Sequence, residues 1–331
     1  MPVQSGRPDA PATRMTRRAL ARVHLEGHDQ WCLVSAATVV PIAESFGDLA
    51  EILVTGFDRL EPAGEPVPFE RIDAWLPPVT APCRIVCQGK NYAEHRVETG
   101  SSPDKPPFNL LFSKADSALT GPYATIRRPP GVRLLDYEIE LGLVIGEPIT
   151  ADCRIDADNW HAYVAGLVLA NDVSARDVQL GQGQWFKGKS YRTFCPVGPW
   201  IVPMDDAVRA AFDELELTLA VNGERRQHAF AGQMLFKPWE TLAEIATIMD
   251  LGPGDLLLTG TPGGVALHVP PAWKQRLGAL LFDEARRTQM FIERQARNPR
   301  YLKDGDVIEA TIRTADGRID LGMQRLVVGS Q

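Results

Sequence analysis

The chain has 331 residues, 44% hydrophobic and 23% charged, with a net charge of −7 at pH 7. This is the composition of an ordinary globular protein, long enough for one large domain with an appendage or for two domains. The acidic balance argues against nucleic-acid or anionic-membrane partners, and no apolar run approaches the roughly 18 residues that span a bilayer, so small-molecule chemistry is expected.

The first 18 residues are Arg-rich, lack an apolar core and are interrupted by prolines. They predict a disordered basic tail rather than a secretory signal. Residues 20–75 read as a small domain with weakly alternating strands around R-V-H-L-E-G and W-C-L-V, a helix over 45–53, and a loop at E-P-A-G-E-P-V-P-F-E. His24 and His28 are read as surface or structural groups. The proline-rich break at 76–82 is stiff, because proline fixes its own φ and restricts the residue before it. It sets the boundary between an N-terminal domain over 1–80 and a second domain over 81–331. Cys32, Cys83, Cys87, Cys153 and Cys195 are scattered with no C-x-x-C pair. They predict reduced thiols in a cytoplasmic protein, with Cys83 and Cys87 in the core, rather than disulfides or a zinc site.

Residues 84–87 form a short apolar strand that Gly89 breaks. Asn91 is a good N-cap with Glu94 three residues on, which predicts a short helix over 92–99 stopped by Gly100. His95 and Glu98 then share a helical face, where a carboxylate can orient an imidazole to activate water. The same spacing is common on solvated helices. After a strand over 108–113 and a turn-rich link comes L-L-D-Y-E-I-E-L-G-L-V-I-G, residues 134–146. Read as one buried strand, it puts Asp136, Glu138 and Glu140 on one face and Leu135, Tyr137, Ile139 and Leu141 on the other. Carboxylates crowded on an apolar sheet need protons, basic partners or a cation, and a hard divalent metal fits best. The plainer reading is an edge strand with a solvated acidic face.

A helical segment over 156–163 leads to a buried strand over 164–170 that delivers Asn171 and Asp172 to its end, placing Asp172 as a third oxygen ligand. Arg176 and Gln179 follow at the spacing of one helical face. Lys187 and Lys189 lie among aromatics, and Lys189, beside Gly188, looks like the one presented to a pocket. A hairpin turns at Asn222-Gly223, and a helix covers 239–249. A strand over 256–258 precedes T-G-T-P-G-G, which lacks the features of a nucleotide loop but offers N–H groups and the hydroxyls of Thr259 and Thr261 to a carboxylate. Residues 268–300 are mostly helical, and a hairpin closes the chain.

Taken together, G-K-N-Y-x-x-H-x-x-E, D-Y-E-I-E-L, N-D-V-S-A-R-D-V-Q, K-S-Y and P-G-D-L-L-L-T-G-T-P-x-G-V resemble the fumarylacetoacetate hydrolase family. The likeness runs over 84–265 and resumes at 303–328. It implies an α+β, β-rich fold, a mixed β-roll catalytic domain with a small N-terminal domain, assembled as a homodimer. It further implies Glu138, Glu140 and Asp172 as ligands of Mg²⁺ or a similar ion; Mn²⁺ would fit the same three carboxylates. His95 and Glu98 resemble the water-activating dyad on a short lid helix that orders over substrate. Lys189, Arg176 and Gln179 resemble the polar groups that orient substrate and steady an oxyanion, and Thr261 resembles the threonine of the T-G-T-P loop. Asp136 takes a supporting role. The segment 265–302 reads as a helical insertion, longer than the link the family leads one to expect. The leading expectation is hydrolytic C–C cleavage of a 1,3-dicarbonyl or acylpyruvate, as in aromatic catabolism. Decarboxylation, tautomerisation or hydration of a 2-oxo or 2-hydroxydienoic acid is the alternative. A non-catalytic binding subunit would lack a ligand or dyad residue, and none is missing.

Overall fold

In the computed structural model, residues 19–269 and 283–330 are described, so the expected basic tail and residues 270–282 of the insertion lie outside the described residues. The framework is a mixed sheet of eleven strands. From one end its order is Val67–Pro68, Thr38–Pro41, His28–Ser35, Ala19–Leu25, Trp200–Pro203, Val164–Asn171, Ile139–Ile145, Leu256–Leu258, Ile85–Gly89 and Leu110–Lys114, with Ala74–Leu76 also paired to Ala19–Leu25. Leu256–Leu258 runs parallel to Ile85–Gly89 and antiparallel to Ile139–Ile145. A second sheet of five strands, Glu224–Phe230, Glu216–Val221, Val307–Arg313, Asp320–Ser330 and Thr125–Arg128, carries the two hairpins. Helices are short and peripheral, which makes the fold sheet-rich α+β, as the sequence leads one to expect.

Residues 19–76, set apart in sequence by the proline-rich break, contribute the strands at one end of the same sheet. The hairpin turn is of type I′, with Asn222 at φ 52° and Gly223 at φ 78°, a backbone twist that matches the flanking strands and that an Asn-Gly pair adopts at little cost. The helix expected over 239–249 is Pro238–Ile248. The helix expected over 156–163 is only a 3₁₀ turn, Trp160–Tyr163. Within the insertion, residues Glu284–Gln295 form a helix.

Every residue of Ile139–Ile145 is buried, so the solvated-edge reading of the acidic stretch does not hold. Residues 134–146 are also not one strand. Leu135–Asp136 pairs with Ser174–Ala175 in a ladder of its own, and the main-sheet strand starts only at Ile139. The reason is hydrogen bonding. The Glu138 N–H donates to Asn171 Oδ1 at 3.1 Å and the Ile139 N–H to Gln227 Oε1 at 3.0 Å, so side chains replace the carbonyls that would continue a ladder.

Asn91 does not cap the next helix, Ala93–Glu98, whose N-cap is Tyr92 with no side-chain bond. Its amide instead donates to the carbonyls of Phe236 at 3.1 Å and Thr259 at 2.9 Å, and accepts from the Phe236 N–H at 2.7 Å. Buried and fully used, Asn91 ties the helix to the T-G-T-P loop. All five cysteines are free thiols; Cys87 is buried as expected and Cys83 is half-buried.

Candidate functional site

The break at Tyr137-Glu138 positions the site. Ile139 pairs with Asn171 across two antiparallel strands, and the Asp172 N–H donates to the Glu138 carbonyl at 2.8 Å. Glu138, Glu140 and Asp172 are thereby brought to one point, with a carboxylate oxygen of each within 4.8 Å of the others and all three buried. Glu140 is further fixed by the Gly260 N–H at 2.7 Å. Gly260 is obligatory there, since its φ is +90° and a Cβ would lie 2.8 Å from that of Asn91.

Three buried cations answer these acids. Lys189 Nζ bridges Glu138 at 2.5 Å and Asp172 at 2.6 Å. Arg176 donates from Nε to Asp136 at 2.9 Å, from Nη2 to Glu138 at 2.5 Å and from Nη1 to the Gln179 amide oxygen at 3.0 Å. Lys114 Nζ meets the other oxygen of Asp172 at 2.5 Å. Asp136 also accepts the N–H groups of Ala266 at 2.8 Å and Leu267 at 3.1 Å, so it anchors the start of the insertion.

The charges sort the carboxyls. Burial alone would push Glu138 up, but Arg176 and then Lys189 hold it well below the ordinary carboxylate range. Burial pushes Glu140 well up, and the negative charges of Asp172 and Glu138 push the same way. Burial would likewise pull Lys189 down, yet Asp172 and Glu138 hold its ammonium above its usual value. Four carboxyls, including Asp136, meet three buried cations among the described residues, Lys114, Arg176 and Lys189, so without a further cation one of them, Glu140, is driven towards its neutral form. An all-oxygen donor set whose carboxyls repel one another in the absence of an ion fits a hard divalent cation.

A cleft of about 370 Å³ opens over this cluster, lined by His95, Glu138, Glu140, Arg176, Gln179, Lys189 and Thr261 among others. Asp172 lies beneath its floor. Lys187 is exposed, which leaves Lys189 as the lysine turned inward. Arg176 keeps only one uncommitted N–H on each Nη nitrogen, so its main contacts are to the protein. His95 is buried with Nδ1 3.8 Å from Glu98 Oε2, beyond hydrogen-bond range, and without a partner for that nitrogen. Glu98 instead accepts the Gly264 N–H at 2.8 and 3.0 Å and faces a neighbouring cavity.

Two residues escape sequence reasoning. Lys114 ends the strand Leu110–Lys114 with nothing in its context to distinguish it from a surface lysine. Gln227 sits in the charged run E-R-R-Q-H, yet it is fully buried. Its amide donates to Thr261 Oγ1 at 2.8 Å and the Pro262 carbonyl at 2.9 Å while accepting from Ile139, so it joins the T-G-T-P loop to the acidic strand. The strand alternation holds its one clue, for Gln227 shares a face with Ala229.

The family described as "Fumarylacetoacetate (FAA) hydrolase C-terminal" matches residues 84–328. The chain belongs to the fumarylacetoacetate hydrolase family. Among family members, an oxaloacetate tautomerase of Rattus norvegicus, described as mitochondrial, is 42% identical over 198 residues, which are 60% of this chain and 61% of that protein. The chain thus spans less than two thirds of that relative. A 2-hydroxyhepta-2,4-diene-1,7-dioate isomerase from Mycobacterium marinum superposes with a TM-score of 0.68 and 29% identity, covering 95% of this chain and 99% of its own. A fumarylacetoacetate hydrolase from Exiguobacterium antarcticum gives 0.71 and 29%, covering 95% of this chain and all of its own (100%). The family and the acidic cluster together identify an enzyme superfamily whose members bind divalent metal. Among the described residues no helix is long and apolar enough to cross a membrane.

Proposed function

We propose that the chain is a divalent-metal-dependent tautomerase or isomerase of a 2-oxo or 2-hydroxydienoic acid. This moves C–C hydrolysis, the leading expectation from the motifs, to second place. The observation that carries the reading is the state of the dyad. Glu98 is bound to the Gly264 N–H and lies 3.8 Å from His95, so the imidazole stands in the cleft as a single proton carrier without an orienting carboxylate. One such carrier is enough for tautomerisation, whereas activation of water for hydrolysis asks for a base held in place. The tautomerase and isomerase names of the relatives support the same reading.

Glu138, Glu140 and Asp172 would hold the ion, Mg²⁺ or else Mn²⁺. When bound, the ion supplies Lewis-acid polarisation of the 2-oxo group. His95 takes a proton from the carbon beside that group. The C–H electrons form the C=C bond, and the oxygen gains the charge that Lys189 and the Gln179 amide steady. Return of the proton to oxygen gives the enol, or to a more distant carbon the conjugated isomer. The apolar walls, Phe112 and Trp185, keep bulk water from competing for the proton. A homodimer belongs to the same proposal.

Hydrolysis stays a second reading because His95 and Glu98 do share one helical face, one turn apart. The test is ultraviolet decay of the oxaloacetate enol, with NMR of products from an acylpyruvate, in the Mg²⁺-loaded chain. His95→Ala is expected to slow tautomerisation by about 10²–10⁴-fold and Glu98→Gln by less than about tenfold. Acylpyruvate cleavage as fast as tautomerisation, with both variants equally damaged, would overturn the proposal in favour of hydrolysis.

A further inference from the structure

Three permanent cations line the cleft: Lys90, Arg176 and Lys189. Arg176 and Lys189 are matched to Asp136, Glu138 and Asp172 at 2.5–2.9 Å. Lys90 is not matched. Its Nζ has one hydrogen bond, to Ser101 Oγ at 3.2 Å, and among the described residues no carboxylate pairs with it. Burial, and then Arg96, pull its ammonium below the usual value, so holding the charge there is costly. Its backbone is costly too. Lys90 has φ 55°, in the left-handed region that a residue with a Cβ enters at a penalty and glycine enters freely. A lysine held in a glycine-like conformation, in a cleft, with an unanswered charge, is explained by what the side chain meets there.

We infer that Lys90 binds a second, distal carboxylate of the substrate and so selects dicarboxylic over monocarboxylic 2-oxo acids. The inference rests on the reading of this cleft as a 2-oxo acid site. A substrate's first carboxylate and 2-oxo group are taken up at the acidic cluster through the ion. A second carboxylate finds apolar side chains at Phe112, Leu180, Trp185 and Leu267, and repulsion from Glu138 and Glu140. Lys90 is the cation left to receive it. The contact replaces a weak hydroxyl bond with a charge-assisted one and relieves the desolvated ammonium.

Calorimetry with the Mg²⁺-loaded full chain tests this with a matched pair, 2-oxoglutarate and 2-oxopentanoate, equal in length and differing by one carboxylate. The parent chain is expected to bind the diacid ten- to a hundredfold more tightly, on the order of one charge-assisted hydrogen bond. Lys90→Met should bring that ratio close to one by weakening the diacid alone, and Lys90→Arg should keep it. Melting curves of both variants separate binding from folding. The inference is overturned if the parent shows no preference or binds neither probe, if Lys90→Met weakens both acids alike, or if that variant retains the preference. Should the parent bind as expected yet turn over neither oxaloacetate nor a hydroxydienoate, the tautomerase reading fails while the role of Lys90 stands.

Discussion

Lys114→Met is the sharpest probe of the buried charge network. Lys114 and Asp172 are both fully buried, and Nζ lies 2.5 Å from Oδ1. Methionine keeps the length and the apolar stem while removing the charge. Asp172 then has Lys189 alone, and Lys189 is already shared with Glu138. Breaking one side of a buried ion pair costs about 3–5 kcal/mol, because the remaining charge is stranded away from water. In a chain of this size that corresponds to a fall in Tm of about 5–15 °C. A divalent ion held by the acidic cluster would share Asp172 and return part of what the lysine supplied. The loss is therefore expected to be largest in chelator and distinctly smaller in saturating Mg²⁺. Asp172→Asn on top of Lys114→Met should recover part of the chelator loss, as neighbours in one network do not add. Scanning calorimetry of the parent and variants, with chelator and with Mg²⁺, measures all three effects. A Lys114→Met protein that melts within about 2 °C of the parent in chelator would refute the reasoning, as would a loss unchanged by Mg²⁺.

Two further outcomes follow from groups outside the acidic cluster. Gln227→Leu leaves the Ile139 N–H unpaired and frees Thr261 and Pro262, which should cost about 2–3 kcal/mol in urea unfolding. A change below about 0.5 kcal/mol would show that the loop is held by other contacts. Burial pushes the thiols of Cys32, Cys83 and Cys195 up to about 12, and that of Cys87 well up. Ellman's reagent at pH 8 is thus expected to label Cys153 in the native chain and all five thiols in guanidinium; rapid native labelling of two or more would contradict it. The sign of the linked stability is fixed by the same shifts. The folded thiols keep their protons longer than the unfolded ones, so stability falls as pH rises from about 8.5 towards 12.

Much of the site was legible in the sequence because its chemistry sits in short local patterns. The alternation D-Y-E-I-E announces buried carboxylates, although they fall on two strand segments and the break between them, and Lys189 beside Gly188 announces an inward lysine. What was not legible depends on partners far along the chain. Asn91 looks like a helix cap by local rules, but its amide is claimed by Phe236 and Thr259. The break in 134–146 comes from Asn171 and Gln227 reaching across from other elements, and no window around Tyr137 contains them. Lys114 becomes special only when the sheet sets it against Asp172, 58 positions away. The orientation of Glu98 was open for the same reason, since its partner is a backbone N–H in the loop 166 positions later.

The seam between Ala19–Leu25 and Trp200–Pro203 has a consequence for solubility. Trp200–Pro203 is apolar and almost wholly buried, and its other side is already paired with Val164–Asn171. Phe69 and Trp75 close over Trp200, with ring centroids 6.0 and 5.9 Å away. Without the first strands, the catalytic portion would present a bare, sticky strand edge, the usual template for self-association. The N-terminal strands thus act as a built-in guard for the sheet, and the guard is held by side chains as well as backbone, since Leu20, Ala21, Phe69 and Trp75 are buried in the same core as Trp200.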